Sequence, residues 1–223
     1  TCPTRKYFRH ISMPTADTFP LKPKHQANYT NPDVILTYSD WAREELNKRW
    51  PGLVFGTPRY GCSPIMYFPM KNKDILRKTV GLDPSLKIVG MVTKNQPRKL
   101  LAELILMFKA VADKNPNAML YIHAGYPEQA SWDIPNLLNQ SGLGTRVLFT
   151  YTCNSCGSFY PSIFRGEVAI CQKCNQHTAM VKSPAYNISE EKMNIIFNLF
   201  DVYIQYSSSE GAGMPVAEAA YCG

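Results

Sequence analysis

Ser208-Ser209-Glu210-Gly211-Ala212-Gly213-Met214-Pro215-Val216-Ala217-Glu218-Ala219-Ala220 follows, after Ser207, on the apolar run Asp201-Val202-Tyr203-Ile204-Gln205-Tyr206. The run reads as a buried strand of a parallel sheet. Two glycines then make a tight turn that lets the backbone approach a ligand, and Pro215 suits the first position of a helix. The free N–H groups of such a helix start attract an anion such as a diphosphate. Glu210 lies in the turn and Glu218 about one helical turn inside, so both can face one cleft mouth. A carboxylate repels phosphate, which leaves hydroxyl donors as the partners of these two glutamates. A diphosphate with hydroxyls beside it describes a nucleotide sugar.

Upstream of this tract, helices and strands alternate. Helix Asp74–Val80 precedes strand Lys87–Thr93, helix Arg98–Lys114 and strand Ala118–Ala124. Helix Ile134–Gln140, strand Arg146–Thr150, an insertion and helix Glu190–Phe200 follow. Such alternation predicts an α/β fold with a doubly wound, Rossmann-like parallel sheet. Leu100, Leu101, Leu104, Ile105, Phe108 and Val111 form one apolar helix face for its core. Further upstream, Val34–Tyr38 reads as a strand, Ser39 as a helix cap, and Pro51-Gly52 as the end of that helix. Residues 58–70, with Pro58, Gly61, Pro64 and Pro69, read as an interdomain linker. The expected partition is therefore 1–57, linker 58–70, and a main domain over 71–223.

In a doubly wound sheet, ligands sit at the carboxyl ends of the strands. The loop after Thr93 reads Lys94-Asn95-Gln96-Pro97-Arg98-Lys99. Its three cations, together with a helix start, suit a pyrophosphate leaving group. His123 ends the next strand and is kept as a pocket candidate. His10 and Asp17 fall in the N-terminal part without a defined role, and Cys2, Cys62 and Cys222 show no pairing pattern.

Cys153-Asn154-Ser155-Cys156 and Cys171-Gln172-Lys173-Cys174 are two Cys-x2-Cys knuckles with 14 residues between them. Two thiolate pairs on separate turns can close a tetrahedron around one Zn²⁺, so 151–177 is expected to be a zinc-ribbon insertion. A closed four-thiolate site is structural, not catalytic. His177 offers a substitute ligand, and disulfides, free thiols or a four-thiolate iron site are the alternatives. Phe159, Tyr160, Ile163 and Phe164 lie between the knuckles, where a metal-stapled hairpin would cover them. Arg165, Lys173 and Lys182 lie in or near the insertion, which is expected to cap the donor pocket or contact the acceptor.

From Ser207 to Gly223 the chain matches Ser-x-x-Glu-Gly-x-Gly-x-Pro-x-x-Glu-Ala-x-x-x-Gly. This resembles the Glu-x7-Glu signature of retaining GT-B glycosyltransferases of family 4 (glycosyl transferases group 1), and the resemblance extends more weakly back to about Thr30. It implies a hexosyltransferase-like enzyme moving a sugar from a nucleotide-sugar donor to a hydroxyl acceptor on a glycan, lipid or protein. Residues 1–57 would be the end of the N-terminal GT-B domain and 71–223 the nucleotide-sugar-binding C-terminal domain. In the implied roles Glu218 binds ribose hydroxyls and Glu210 lies by the donor sugar. Gly211, Ala212, Gly213 and Met214 offer backbone N–H groups, while Lys94, Arg98 and Lys99 stabilise the departing diphosphate. The family generally has Arg where Lys94 stands, and lysine lacks the bidentate fork. No catalytic metal is expected. The pattern would continue beyond Gly223, so the chain is expected to be a fragment cut at both ends, holding most of a site without being a working enzyme.

The 223 residues are 45% hydrophobic and carry a formal charge of +7, enough apolar content for a core and a bias towards anionic partners. That bias fits a nucleotide sugar, an anionic membrane surface touched peripherally, or nucleic acid. Neither a membrane-length apolar run nor a secretory signal is visible, so a cytoplasmic protein is expected. A zinc-ribbon nucleic-acid-binding module on an α/β scaffold is the alternative, and a GT-B relative without activity is a third. The nucleic-acid reading leaves the two-glutamate turn without a purpose, which makes nucleic acid the weaker partner.

Overall fold

A computed structural model describes residues 4–16, 18–58, 61–128, 131–181 and 188–223; Cys2, Asp17 and Lys182 lie outside the described residues. The chain forms two compact units, one of residues 1–61 with 209–213, the other of 62–208 with 214–223.

The first unit holds β1 (Ile11–Ser12), α1 (Pro23–Thr30), β2 (Val34–Leu36), α2 (Asp40–Arg49) and β3 (Val54–Gly56). The strands form a parallel sheet in the order β1-β2-β3, with Ile11 opposite Val34 and Ile35 opposite Val54. Ile35 and Leu46 are fully buried beside Tyr29, Ala42 and Val54. Ser39 caps α2 as its sequence predicts, its hydroxyl accepting the Ala42 N–H at 3.2 Å. Sequence periodicity gave no sign of α1 or β3, because eight and three residues are too few to establish a repeat.

The second unit holds α3 (Lys73–Thr79), β4 (Lys87–Val92), α4 (Leu101–Lys114), β5 (Ala118–His123), α5 (Ile134–Ser141) and β6 (Val147–Cys153). Then come β7 (Phe159–Ile163), β8 (Val168–Ala169), β9 (Ala179–Val181), α6 (Glu190–Leu199), β10 (Val202–Tyr203) and α7 (Met214–Tyr221). Strands β10, β4, β5 and β6 are neighbours in that order and all parallel. Helices α4 and α5 cover one face, over Met91, Leu120, Ile122 and Phe149. Helices α3, α6 and α7 cover the other, over Ile88, Val92, Tyr121 and Leu148. The alternation of those strand residues between faces is the period of two that a sheet buried on both sides requires.

Two departures from the sequence expectation bear on the site. The helix expected from Arg98 is interrupted: Pro97–Lys99 is a single 3₁₀ turn, and Leu100 adopts a left-handed conformation (φ 46°) before α4 begins. The run Asp201–Tyr206, expected as a buried strand, pairs only through Tyr203 and has no buried residue, since β10 is an edge strand with β4 as its one neighbour among the described residues and the chain leaves the sheet after the Ile204 N–H reaches the Gly90 carbonyl.

Residues 62–70, the second part of the segment read as a linker, lie on α6. Asn194 and Asn198 accept the Phe68 and Met70 N–H groups at 3.2 and 2.7 Å, and Asn198 donates back to the Phe68 carbonyl. These contacts pair the Phe68 and Met70 backbone groups in a stretch without regular structure.

Candidate functional site

The basic turn after β4 is tightly held. The Thr93 N–H donates to the His123 carbonyl at 3.0 Å, extending the β4–β5 ladder by one step. Asn95 is fully buried; its side chain accepts the Trp132 N–H at 3.0 Å and donates to the Trp132 carbonyl at 3.1 Å. The Asn95 N–H donates to the Glu128 carboxylate at 3.1 Å. Of the three cations, Lys94 and Arg98 are exposed and Lys99 is buried, 6% accessible. The turn therefore presents two cations outward and keeps the third inside.

The end of the β10 segment joins this turn. The Ser208 N–H donates to the Arg98 carbonyl at 2.9 Å, and the Ser208 hydroxyl reaches the same oxygen at 3.3 Å. Both β4 and β10 run towards this end of the sheet, so the serine that opens the quoted tract lies against the basic loop. Helix α7 starts at Met214, one residue before the expected Pro215, and carries Glu218 half-buried on it. Burial pushes the Glu218 carboxyl above its usual range, and the carboxylate of Glu190, at the start of α6, adds to the shift. Glu210, Gly211, Ala212 and Gly213 belong to the first unit, where Gly211 packs on Thr15: a Cβ there would lie 2.5 Å from the Thr15 methyl carbon. Gly213 has a φ of 64°, which glycine adopts without penalty.

His123 does not stand at an open cleft edge as the sequence suggests. It is fully buried, with Nδ1 2.8 Å from the Thr150 hydroxyl, itself 2.9 Å from the Tyr121 hydroxyl. Burial lowers its pKa to about 3, so the ring is neutral. Position 123 points inward because side chains alternate along β5, and the neighbouring strands and helices close over that face. His10 is exposed in the first unit and donates its backbone N–H to Asp33 at 2.7 Å.

The four cysteines of the insertion converge. The sulfurs of Cys153, Cys156, Cys171 and Cys174 all lie within 4.8 Å of one another. Cys153–Cys174 and Cys156–Cys171 are 3.5 and 3.8 Å apart. A tetrahedron with metal–sulfur bonds of about 2.3 Å has edges of about 3.8 Å, so the donor set fits one zinc-sized ion. The two knuckles share one backbone plan. Cys153 N–H donates to Ser158 O and Cys171 N–H to Gln176 O, while Gly157 N–H returns to Cys153 O and Asn175 N–H to Cys171 O. Gly157 and Asn175 both take the left-handed conformation, φ 68° and 60°. His177 lies outside the cluster, exposed, with Nε2 3.2 Å from the Val168 carbonyl.

The insertion is built into the sheet. Along one side β6 pairs first with β5, through Val147–Phe149, and then with β9, through Tyr151–Cys153; β7 runs antiparallel along its other side. Strand β9 thus continues the line of β5 beyond His123, at the carboxyl end of the parallel strands. Tyr160 is buried, and its ring stacks on Tyr151 with centroids 6.2 Å apart. Phe164 packs edge-on against Phe149 and Tyr126. The aromatic residues between the knuckles are therefore covered.

Residues that sequence reading passed over are Asn95, Glu128, Trp132 and Thr150. None belongs to a motif; their partners lie 27 to 37 residues away. Among the described residues no helix is long and apolar enough to cross a membrane.

No protein-family model and no curated protein sequence matches the chain. Solved structures do. TarM superposes with a TM-score of 0.62 at 14% identity, covering 96% of this chain and 35% of that one. HepE of Anabaena, solved in complex with UDP and glucose, gives 0.60 at 15% identity, with coverages of 95% and 50%. WaaG, a glycosyltransferase involved in lipopolysaccharide biosynthesis, gives 0.57 at 13%, with coverages of 84% and 42%. The chain spans half or less of each of these proteins. At such identities the likeness concerns the fold: this chain has the Rossmann-like α/β architecture of GT-B glycosyltransferase domains.

Proposed function

We propose that the chain is the donor-binding part of a retaining, hexosyltransferase-like glycosyltransferase of the family 4 type. It would move a sugar from a nucleotide donor to a hydroxyl acceptor. The observation that supports this reading is the Ser208–Arg98 contact, which brings the serine at the head of the two-glutamate tract to the basic turn at the carboxyl end of the sheet. In the proposed roles Lys94, Arg98 and Lys99 neutralise the diphosphate as the glycosidic bond breaks, as positioned cations do for a leaving group. Glu218 takes the ribose hydroxyls. Glu210 lies by the donor sugar, and the backbone of 211–214 contacts sugar or phosphate. The burial of Lys99 supports a fixed rather than a mobile charge. Residues 1–57 are read as the end of the N-terminal domain, 58–70 as the connection, and 71–223 as the nucleotide-binding domain.

The cysteine cluster is read as a structural zinc site held by Cys153, Cys156, Cys171 and Cys174, since four thiolates leave no open position for chemistry. When bound, the ion cross-links the two knuckles. The place of β9 in the line of β5 supports the insertion as a wall near the nucleotide rather than a separate module.

Calorimetric titration with UDP, GDP, ADP and CDP tests the reading. One diphosphate should bind, and Lys99→Ala should weaken it strongly and cost orders of magnitude in turnover in the whole protein. Near-parental binding and turnover in Lys99→Ala would remove the assignment.

A further inference from the structure

Three loops meet at the basic turn, and one of them carries no residue of the recognised signature. The loop after β5 sends Glu128 to the Asn95 N–H and the Trp132 backbone to the Asn95 amide, giving three hydrogen bonds between 3.0 and 3.1 Å on one fully buried residue. Asn95 follows Lys94 directly and precedes Arg98 and Lys99 in the same turn. The turn is also held by Ser208 on the Arg98 carbonyl, and it ends on the left-handed Leu100, a conformation unfavourable for a non-glycine residue. Strain of that kind persists only where the surroundings over-determine the backbone.

The other Glu128 oxygen, Oε1, and the Trp132 indole nitrogen are buried without a hydrogen-bond partner among the described residues. A strained residue ending a turn that two other loops grip is expected where a backbone is being held in shape for a ligand.

We propose that Asn95 and Glu128 are positioning residues. The loop after β5 fixes the backbone of the Lys94–Lys99 turn so that its cations meet a diphosphate without reorganisation. Neither residue touches the ligand in this scheme; each acts through the turn. The proposal rests on the nucleotide-binding reading above.

The test uses Asn95→Ala, Glu128→Ala and Glu128→Gln, each titrated with the diphosphate the parent binds tightest, and each assayed for melting temperature and zinc content. Glutamine keeps an oxygen for the Asn95 N–H. Asn95→Ala loses the two amide bonds to the Trp132 backbone and Glu128→Ala the carboxylate on the Asn95 N–H; each should weaken binding at least about tenfold, the scale of two neutral hydrogen bonds or one to a charged group. Glu128→Gln should bind close to the parent. A structural role alone would lower the melting temperature and leave the affinity of the folded protein unchanged. If the parent binds but both alanine variants bind equally well, positioning is refuted and the nucleotide reading stands. If the parent binds none of UDP, GDP, ADP or CDP, that reading falls and takes this proposal with it. Should Asn95→Ala not fold, the contrast between the two Glu128 variants decides.

Discussion

Replacing Arg77 by alanine should cost the second unit about 3–4 kcal/mol. Arg77 is 2% accessible and sits in α3, where its guanidinium donates to the Leu199 carbonyl at 2.7 and 3.2 Å. It also donates to the Pro84 and Leu86 carbonyls at 3.1 and 2.8 Å and to the Asp201 carboxylate at 2.7 Å. Alanine leaves three carbonyl oxygens without this donor, at about 1 kcal/mol each at the low end for buried acceptors. Loss of the carboxylate contact adds to this, but modestly, because the Asp201 side chain is 28% exposed and water can replace part of it. The sum falls within the range for breaking a buried ion pair from one side. The consequence reaches the site, because Asp201 also accepts the Ile88 N–H at 2.8 Å and so sets β10 against β4, upstream of Ser208. Burial alone would raise the Asp201 carboxyl, but the Ile88 N–H, Arg77 and Lys73 outweigh it and hold the group below its usual range. A depressed carboxylate contributes stability above its unfolded pKa and loses it as pH falls through the folded one. The gap between parent and Arg77→Ala should therefore be full at pH 7 and narrow below about pH 4. Urea unfolding at both pH values, with Arg77→Lys as control, measures this; lysine, a point charge, should recover less than half. A loss under about 1 kcal/mol at pH 7 would refute the reasoning, being smaller than a single buried acceptor plus the charge contact.

Two further outcomes follow from the sites. Cys171→Ser, or removal of metal by a chelator, should abolish one equivalent of bound zinc by mass spectrometry and lower the melting temperature by about 5 °C or more, since a structural zinc contributes several kcal/mol; a parent without bound metal would refute the assignment. Glu218→Gln should be more stable than the parent at pH 7 yet bind the nucleotide sugar more weakly. Its carboxyl is raised by burial and by Glu190, so the folded protein loses stability as pH rises through the carboxylate range, and an amide removes that penalty. Equal stability of the two proteins at pH 7 would contradict this.

Much of the fold and part of the site were legible in sequence. The alternating elements from α3 to α7 and the cap at Ser39 follow from local patterns, which need only neighbouring residues to express themselves. The convergence of the four cysteines was legible too, because Cys-x2-Cys spacing restricts where a thiolate pair can point. The fate of His123 was not: a histidine at a strand end looks the same whether the face beneath it is open or closed, and here Thr150 and the surrounding elements close it. The break at Leu100 was equally hidden. The apolar periodicity runs through Leu100 and Leu101 without interruption, and only the grip on Asn95 and Arg98 from two distant loops makes the left-handed turn visible.

Local chemistry is written in the sequence: which residues alternate between sheet faces, which turn carries cations, which carboxylates flank a glycine turn and which thiols come in pairs. Tertiary structure decided which of these meet. Ser208 reaches Arg98 across 110 residues, Glu128 reaches Asn95 across 33, and β9 takes over from β5 beside β6. The physical reason is that such contacts are set by parallel strand order and the closing of loops over its carboxyl end, and no periodicity of two or 3.6 residues encodes which distant loop will supply a partner.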